Sequence, residues 1–452
     1  MAKITLDQAA AWCGGWVDPK YADVTFLGAS NDSRNIQPGQ LFLALQGVRD
    51  GHDFIPMAME KGAAAVLCSC PQENIPAIVV EDVRIALGQI AAGERQRIGM
   101  KVVGVTGSVG KSTTKEMIAC VLSSVYRVAK TPANHNNDIG MPMAVLAMPE
   151  DAQVAVLEMG MNHFGEISYL TNIAKPDVAV IINIGTMHIE HLGSQAGILK
   201  AKLEILEGLQ PGGQLMLYGD DTHLWSVRDS LTVKPVYFGS KNPDCAVKAS
   251  NVHFGENVAF TASWANGFMN ITIPVEGEHY VSDALAAVSV GLAMGVAPEK
   301  IVDALANFRN MEGRQEIFEA KGYTIIKDCY NAGPESMAAA MAVLGNRPGR
   351  KIAVLGDMLE LGVCAPAEHY KVGRIAAEKA DALLAYGPNS TRMISGALTG
   401  GMAEGLTGAY TDRDALVAAL KRLVKPGDVL LFKGSHGMHM EIALEKFLKD
   451  ET

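Results

Sequence analysis

The segment that most constrains the fold is TGSVGKST at residues 106–113, which lies between an apolar run and an amphipathic stretch. Glycines in such a segment let the backbone wrap around phosphate oxygens, the lysine reaches the terminal phosphates, and the hydroxyl ligates magnesium. Val105 occupies the position of the first Walker glycine, so the match is to the TGxxGK[ST] half, and a tight turn with a surface lysine is the alternative. The predicted nucleotide-binding residues are Thr106, Gly107, Ser108, Val109, Gly110, Lys111, Ser112 and Thr113.

The pattern around this loop predicts a doubly wound parallel sheet. Residues 102–105, 154–157, 178–184 and 215–218 are apolar on both strand faces, as strands with helices on two sides must be. Between the first two strands, apolar residues recur at helical spacing over residues 117–125. The order strand, loop, helix, strand is therefore expected.

At roughly 150 residues per domain, 452 residues predict three domains, all of the α/β class. Residues 1–82 alternate short apolar runs with turns and are expected to form a small α/β domain, followed by a connecting helix from residue 83 to 97. Residues 83–313 form the predicted P-loop-type central domain. Residues 314–452 again alternate strand and helix patterns and are expected to form a Rossmann-like domain.

Composition excludes several classes of function. With 48% hydrophobic and 19% charged residues the chain is folded, and a net charge of −10 disfavours binding to nucleic acid. Seven cysteines without a CxxC pair fit reduced thiols in the cytoplasm and offer no zinc ribbon. No signal-like N-terminus and no 18-residue apolar stretch occur, so membrane insertion is not expected.

Polar residues follow the predicted strands of the central domain. Glu158 closes the strand expected beside the P-loop strand, where a carboxylate can hold the nucleotide's metal, although a solvated glutamate would look the same. NIGTMHIEHLGS contains His188 and His191, and histidines in such a segment, taken alone, are more often satisfied polar residues or surface groups than metal ligands. Lys200 and Lys202 are consistent with a helix that presents its charges to water.

An asparagine-rich loop, NHNNDIGMP, runs from residue 134 to 142. Asparagine amides both donate and accept hydrogen bonds, so Asn134 and Asn137 suit nucleotide or sugar recognition. Loops of this composition also simply form turns, and both interpretations stay open.

Taken together with DSRNIQPGQLFLALQG, DGHDF, KDCYNAGPESM, GDMLELG and KGSHGMHME, these segments make the whole chain resemble the Mur ligases. The resemblance implies an ATP-dependent amide-forming enzyme of peptidoglycan synthesis. KDCYNAGPESM and GDMLELG are most similar to the member that joins D-Ala-D-Ala to UDP-N-acetylmuramoyl-tripeptide through an acyl phosphate. The alternatives are addition of a single amino acid, whose usual DNPR-like element is absent, glutamate addition to a folate, and a regulatory ATP-binding protein that ligates nothing.

The resemblance also implies roles for individual residues. Lys111 would bind the β and γ phosphates of ATP, while Ser112 and Glu158 hold one magnesium ion. His188 matches the family's metal histidine, and Lys202 matches the lysine that carbon dioxide carbamylates into an oxygen ligand for a second magnesium.

Further residues are expected at the two ends of the substrate path. The nucleotide contacts implied for the C-terminal domain are Arg314, Asp328, Tyr330 and Asn331, and those implied for the uridine diphosphate end of the substrate are Asp32, Ser33, Arg34 and His52. The chain departs from the family pattern at Tyr280, Asp283, Gly333 and His436. The expected partners are small molecules only, namely ATP, UDP-N-acetylmuramoyl-tripeptide and D-Ala-D-Ala. The protein is expected to be a monomer.

Overall fold

The computed structural model describes residues 3–449, and within this range the strands form sheets of two, four, nine and six strands. The predicted α/β class with three sheet-bearing regions is confirmed. The predicted limits 1–82, 83–313 and 314–452 stay predictions. No helix in the described range combines the length and apolar character needed to cross a bilayer.

The N-terminal region contains a parallel sheet of order β3-β4-β5-β6 and a short ribbon of β1 and β2. The connecting helix α3 is capped by the Asp82 carboxylate and ends at Gly99, whose φ of +69° is the left-handed conformation that glycine favours. The elements are β1 Ile4–Thr5, α1 Leu6–Cys13, β2 Thr25–Phe26, β3 Ala29–Ser30, β4 Leu41–Leu43, α2 Ile55–Glu60, β5 Ala65–Cys68, β6 Ala77–Val79 and α3 Val83–Ile98.

The central sheet has the order β8-β9-β7-β10-β11-β12-β13-β14-β15, and its first seven strands run parallel. Strand β7 lies between β9 and β10. The connections that follow it therefore lead to opposite sides of the sheet, which makes its carboxyl end the topological switch point. Ligands bind at the carboxyl ends of strands at such a point. The elements are β7 Lys101–Thr106, α4 Lys111–Ser123, β8 Val128–Lys130, α5 Gly140–Leu146, β9 Val154–Glu158, α6 Glu166–Ala174, β10 Val178–Ile181, α7 Ile189–Leu192, α8 Gln195–Leu203, β11 Gln214–Tyr218, α9 Thr222–Ser226, β12 Val236–Gly239, β13 Val247–His253, β14 Val258–Trp264, β15 Gly267–Ile273, α10 His279–Ala293 and α11 Pro298–Ala306.

The antiparallel ribbon β13–β15 was not part of the predicted parallel sheet. Its strands are exposed on one face, as the alternation of exposed and buried residues along β15 shows. In a strand with one solvent-exposed face, apolar and polar residues alternate, whereas the strands of the parallel sheet were predicted from continuously apolar runs. The ribbon extends the sheet on the side away from β8 and leaves the P-loop strand near the opposite end.

The C-terminal sheet has the order β16-β17-β21-β18-β19-β20, in which only β16 is antiparallel. The alternation of strands and helices predicted for this part of the chain is present. The elements are β16 Glu316–Ala320, β17 Tyr323–Asp328, α12 Pro334–Asn346, β18 Lys351–Gly356, α13 Ala365–Lys379, β19 Ala382–Tyr386, α14 Ser390–Thr399, β20 Thr407–Tyr410, α15 Arg413–Leu423, β21 Val429–Lys433 and α16 Met440–Leu448.

The hydrophobic cores follow the two faces of each large sheet. One core continues from the N-terminal region through α3 into one face of the central sheet, so these two regions share apolar packing. The other face of the central sheet packs on α10 and α11. The two faces of the C-terminal sheet have cores of their own.

Candidate active site

The P-loop connects β7 to α4, in the strand–loop–helix context that the sequence predicted. Gly110 has a φ of +86°, and a Cβ there would lie 2.9 Å from Oδ1 of Asp283, so the turn requires glycine. The Lys111 ammonium donates to the carbonyls of Gly107 at 2.9 Å and Ser108 at 3.2 Å. Burial lowers the pKa of Lys111, and the Glu158 carboxylate opposes that shift. The lysine thus lies folded against the loop at the start of the helix.

Glu158 ends β9 and pairs in register with Val105 on the P-loop strand. Its Oε1 accepts a hydrogen bond of 2.8 Å from the Asn136 amide, and its backbone N–H donates to Oγ1 of Thr131 at 3.0 Å. Its Oε2 is buried without a hydrogen-bond partner in residues 3–449 and lies 3.9 Å from the Lys115 ammonium. A buried carboxylate oxygen left unpaired is ready to bind a cation.

His188 lies in the loop after β10 with a φ of +63°, a left-handed conformation rare outside glycine. Its Nδ1 lies 2.7 Å from Oε2 of Glu360, which also has a left-handed φ, of +61°. The contact does not have hydrogen-bond angles, and Nδ1 has no hydrogen-bond partner in the described part of the chain. His191 instead stacks on His163, with ring centroids 4.5 Å apart.

Lys202 is on α8 and only 1% exposed, so the interpretation of a solvated helix face is wrong for this residue. Burial lowers the pKa of its ammonium well below the usual value, and the charge of Lys111 adds to the shift. Lys200, by contrast, is exposed and lies 5.7 Å from the centre of the Phe164 ring. The environment of Lys202 therefore favours a neutral amine.

A cavity of about 240 Å³ lies between the P-loop and the C-terminal region. The predicted residues that do not line it are Thr106, Gly107, Thr113, Asn137, Lys202 and Asp328. The hydroxyl of Thr106 donates to the Met159 carbonyl, and Oδ1 of Asn137 accepts from the Gly140 N–H, so both side chains hold the backbone. The predicted residues that do line it are Ser108, Val109, Gly110, Lys111, Ser112, Asn134, Glu158, His188, Arg314, Tyr330 and Asn331.

Side chains of the C-terminal region reach directly into this cavity. Arg314 donates from Nη2 to Oγ of Ser112 at 3.2 Å, and its guanidinium lies 3.9 Å from the centre of the Tyr330 ring. Outside the cavity, Oε1 of Glu335 also joins the two regions, because it accepts from the N–H and the hydroxyl of Thr186 at 2.9 and 3.0 Å. The cavity is thus completed by the contact between two domains. His436, one of the departures from the family pattern, also lines it.

A second cavity, of about 180 Å³, lies on the other side of the P-loop and contains Thr113, Asp328 and the departures Tyr280 and Asp283. Oδ1 of Asp283 accepts from the Thr114 hydroxyl at 2.7 Å. Burial raises the pKa of Asp283 to about 7, against the opposing effects of that hydroxyl and of Arg314. The carboxyl therefore changes charge near neutral pH.

The third cavity, of about 810 Å³, belongs to the N-terminal region, and its lining includes Asp32, Ser33 and Arg34. Their contact with the uridine diphosphate end of the substrate stays a prediction. The Arg34 guanidinium holds Asp32 at 2.9 Å and lowers the pKa of that carboxyl to about 2. Arg49 and Arg84 also line the cavity, so its charged side chains are mainly basic although the whole chain is acidic.

His52 does not line this cavity. Its Nδ1 lies 2.6 Å from Asp50, and its Nε2 accepts from the Ser69 N–H at 3.0 Å. Both ring nitrogens therefore hold neighbouring loops. Gly333, the remaining departure, is the N-cap residue directly before α12, and a Cβ there would lie 2.8 Å from Cγ of Met187.

Sequence reasoning did not single out several residues that build these cavities. Asn136 lies in NHNNDIGMP and Glu360 in GDMLELG, but the composition of these loops does not indicate which side chains face inward. Asn183, which holds the N–H groups of Ser108 and Val109 at 2.9 Å, begins the segment NIGTMHIEHLGS. Arg49 and Arg84 gave no local signal at all.

The residues around Glu158 fit a magnesium site. Magnesium prefers oxygen ligands, and the orphaned Oε2 of Glu158 and the Ser112 hydroxyl both line the cavity. His188 lines the same cavity, with its Nδ1 2.7 Å from Oε2 of Glu360. These three side chains are the ones that would hold the ion.

The P-loop at the switch point of the central sheet assigns the protein to the P-loop nucleotide-binding class. The family models for the Mur ligase middle domain, the Mur ligase glutamate ligase domain and the Mur ligase family catalytic domain match residues 105–291, 313–436 and 24–95. With the full-length relatives described next, these matches show that the chain belongs to the Mur ligase family.

Two relatives are named UDP-N-acetylmuramoyl-tripeptide--D-alanyl-D-alanine ligase. The Bacillus subtilis protein is 40% identical, with 98% of this chain and 97% of the relative covered, and the Escherichia coli protein is 35% identical over the full length of both. A MurF crystal structure from Acinetobacter baumannii superposes with a TM-score of 0.92 at 33% identity over all of both chains. MurF from Thermotoga maritima in complex with ADP has a TM-score of 0.82 at 28% identity, covering 93% of this chain and 97% of that one.

Proposed function

We propose that this protein is the ligase that joins D-Ala-D-Ala to UDP-N-acetylmuramoyl-tripeptide at the expense of ATP. The observation that carries the proposal is the meeting of the P-loop with Glu158, His188 and Arg314 in one cavity, in a chain similar over its full length to ligases of that name. The basic cavity of the N-terminal region suits the uridine diphosphate end of the substrate.

The proposed reaction has two steps. An oxygen of the tripeptide's terminal carboxylate attacks the γ-phosphorus of ATP, the bond to ADP breaks, and an acyl phosphate forms. The amino nitrogen of D-Ala-D-Ala then attacks the acyl carbon, inorganic phosphate leaves, and the amide forms with loss of a proton. Activation is needed because a free carboxylate does not condense with an amine in water.

The chain's own residues bind and orient the reacting groups. Lys111 lies where it can swing from the loop carbonyls to the β and γ phosphates, and Arg314 adds a second positive charge from the C-terminal region. Tyr330, which stacks on that guanidinium, fixes its plane. Contact between the domains excludes water, which protects an acyl phosphate from hydrolysis.

Magnesium would be held by Ser112, Glu158 and His188, and would neutralise charge on the phosphoryl oxygens. We propose a second magnesium ion, served by a carbamylated Lys202. Carbon dioxide reacts with a neutral amine, and the lowered pKa of the buried Lys202 supports that modification. Asn134 and Asp328 are proposed nucleotide contacts from their places in the first and second cavities.

We place the reaction in the cytoplasm and propose that the enzyme is a monomer. The seven cysteines are all free thiols, which supports a reducing compartment.

The test is phosphate release from magnesium and ATP with UDP-N-acetylmuramoyl-tripeptide, with and without D-Ala-D-Ala. Release that requires both substrates is the expected result. Release with the dipeptide precursor and a single free amino acid would replace the proposed step by an earlier one. Slow release that ignores every substrate would favour a regulatory ATP-binding protein.

A further inference from the structure

The asparagine-rich loop extends from the P-loop cavity to the N-terminal cavity. At one end Asn134 and Asn136 line the first cavity, and Asn136 donates to Glu158. Only three residues later, Ile139 lines the N-terminal cavity. One short segment thus touches both the proposed metal carboxylate and the proposed place of the uridine diphosphate.

The loop is tightly folded between these two ends. Oδ1 of Asn137 accepts from the Gly140 N–H at 2.7 Å, and a Cβ at position 140 would lie 2.7 Å from the Cα of His135. The carbonyl of Asn136 accepts from the Gly160 N–H at 2.8 Å. Within the loop, the Asn136 N–H donates to the Asn134 carbonyl at 2.8 Å and the Met141 N–H donates to the Asn137 carbonyl at 3.0 Å. These bonds connect the region of residue 138 to residue 136.

An ion pair ties this loop to the N-terminal cavity. Nη1 of Arg84, in the first turn of α3, lies 2.5 Å from Oδ2 of Asp138, and Arg84 also lines the cavity. The two side chains are 49% and 31% exposed, and an ion pair in contact with water contributes little to stability. Such a weak pair can exchange partners at little cost.

A phosphate is a stronger partner for this guanidinium than a solvated carboxylate, because it offers more acceptor oxygens and more charge. Of the other arginines that line the cavity, Arg34 makes its two side-chain contacts with Asp32, which belongs to the same short segment of the chain. Arg84 is the only one of the three whose partner lies on the asparagine-rich loop.

We propose that Arg84 binds a phosphate of the nucleoside-diphosphate-linked substrate by exchanging it for Asp138, and that this exchange couples the N-terminal cavity to the loop that holds Glu158. The inference rests on the proposed function, because it needs that substrate in the N-terminal cavity. Substrate and nucleotide then strengthen each other's binding, and the coupling is reciprocal.

The experiment is calorimetric titration of the full-length protein with UDP-N-acetylmuramoyl-tripeptide, with and without magnesium and ADP. The wild-type protein is expected to bind the substrate more tightly when ADP is present. Arg84→Met should weaken substrate binding about tenfold and remove the effect of ADP. Asp138→Asn should leave substrate binding unchanged or tighter, since a competitor is lost, and should also remove the effect of ADP.

Arg127 and Asp151 provide the matched control, because they form an exposed pair at 3.0 Å elsewhere in the central domain. Arg127→Met and Asp151→Asn should change neither the affinity nor the effect of ADP. Arg84→Lys, which keeps the charge but not the planar fork, replaces Arg84→Met if that variant does not fold.

Three outcomes distinguish failure of this inference from failure of the proposed function on which it rests. Loss of affinity with Asp138→Asn equal to that with Arg84→Met would reduce the pair to a structural contact and overturn the exchange. An effect of ADP that persists in both variants would overturn the coupling. No binding of the substrate to the wild-type protein would instead overturn the proposed function.

Discussion

The surroundings of the P-loop and the cavity of the N-terminal region shift the pKa of a carboxyl group in opposite directions. Asp283, buried next to the P-loop, has a pKa raised to about 7 by burial, whereas Asp32 faces water and has a pKa lowered to about 2 by Arg34. The first region has about 240 and 180 Å³ of cavity divided by the loop, and the second has about 810 Å³ in one open space.

The difference indicates how each region can recognise an anion. Beside the P-loop, groups from two domains are held by buried contacts, so their geometry exists before a ligand arrives. In the N-terminal cavity the Arg34 side chain is 79% exposed, and the arginines act mainly as charges. Changes in the first region should therefore affect the rate, and changes in the second should affect substrate affinity.

Replacement of Lys111 by alanine should give the largest effect. Loss of the ammonium that reaches the terminal phosphates should lower kcat at least about 1,000-fold, with the melting temperature little changed. Steady-state kinetics and thermal unfolding are the measurements, and the exposed Lys234→Ala in the same domain is the control. A Lys111→Ala enzyme that keeps most of its activity would remove the P-loop from the mechanism.

Replacement of Arg314 by methionine should give the second-largest effect. The variant loses the contact with Ser112 and the charge in the cavity, so kcat should fall about 10- to 100-fold, while the KM for the uridine-linked substrate stays unchanged. Arg309→Met, at an exposed position five residues upstream, should behave as the wild type. A rise in the KM for the uridine-linked substrate alone would contradict the division between the two regions.

Arg49→Ala tests the other side of the comparison. The side chain lines the N-terminal cavity and is exposed, so its loss should raise the KM for UDP-N-acetylmuramoyl-tripeptide about tenfold at low salt and less at high salt. The KM for ATP and kcat should be unaffected. An equal effect at all salt concentrations would mean that Arg49 is not acting as a charge.

Asp283→Asn should have the smallest effect, seen as a change in pH dependence. The folded protein binds this proton more tightly than the unfolded chain, so the free energy of unfolding decreases as pH rises from about 4 to about 7. Between pH 5.5 and 7.5 the variant should lose about 2 kcal/mol of that decrease. Denaturant unfolding at pH 5.5 and at pH 7.5 measures this change. An equal decrease in the free energy of unfolding in variant and wild type would refute the raised pKa.

Sequence reasoning predicted the parts of the fold that depend on local patterns. The strands β7, β9 and β11 are continuously apolar and were predicted within one residue at each end, and the P-loop follows β7 as its motif requires. The ribbon β13–β15 was missed because half of each strand faces water. Contacts between distant segments, such as His188 with Glu360 or Arg84 with Asp138, carry no local signal, because they arise only when the domains pack.

The left-handed backbone at His188 and Glu360 has a consequence for selection experiments. Each non-glycine residue in that conformation costs roughly 1 kcal/mol, which glycine would not incur. A library selected only for folding should therefore accumulate glycine at both positions. A library selected for growth that depends on the enzyme's activity should retain the imidazole at position 188. The difference between the two populations would separate the requirements of the backbone from those of the reaction.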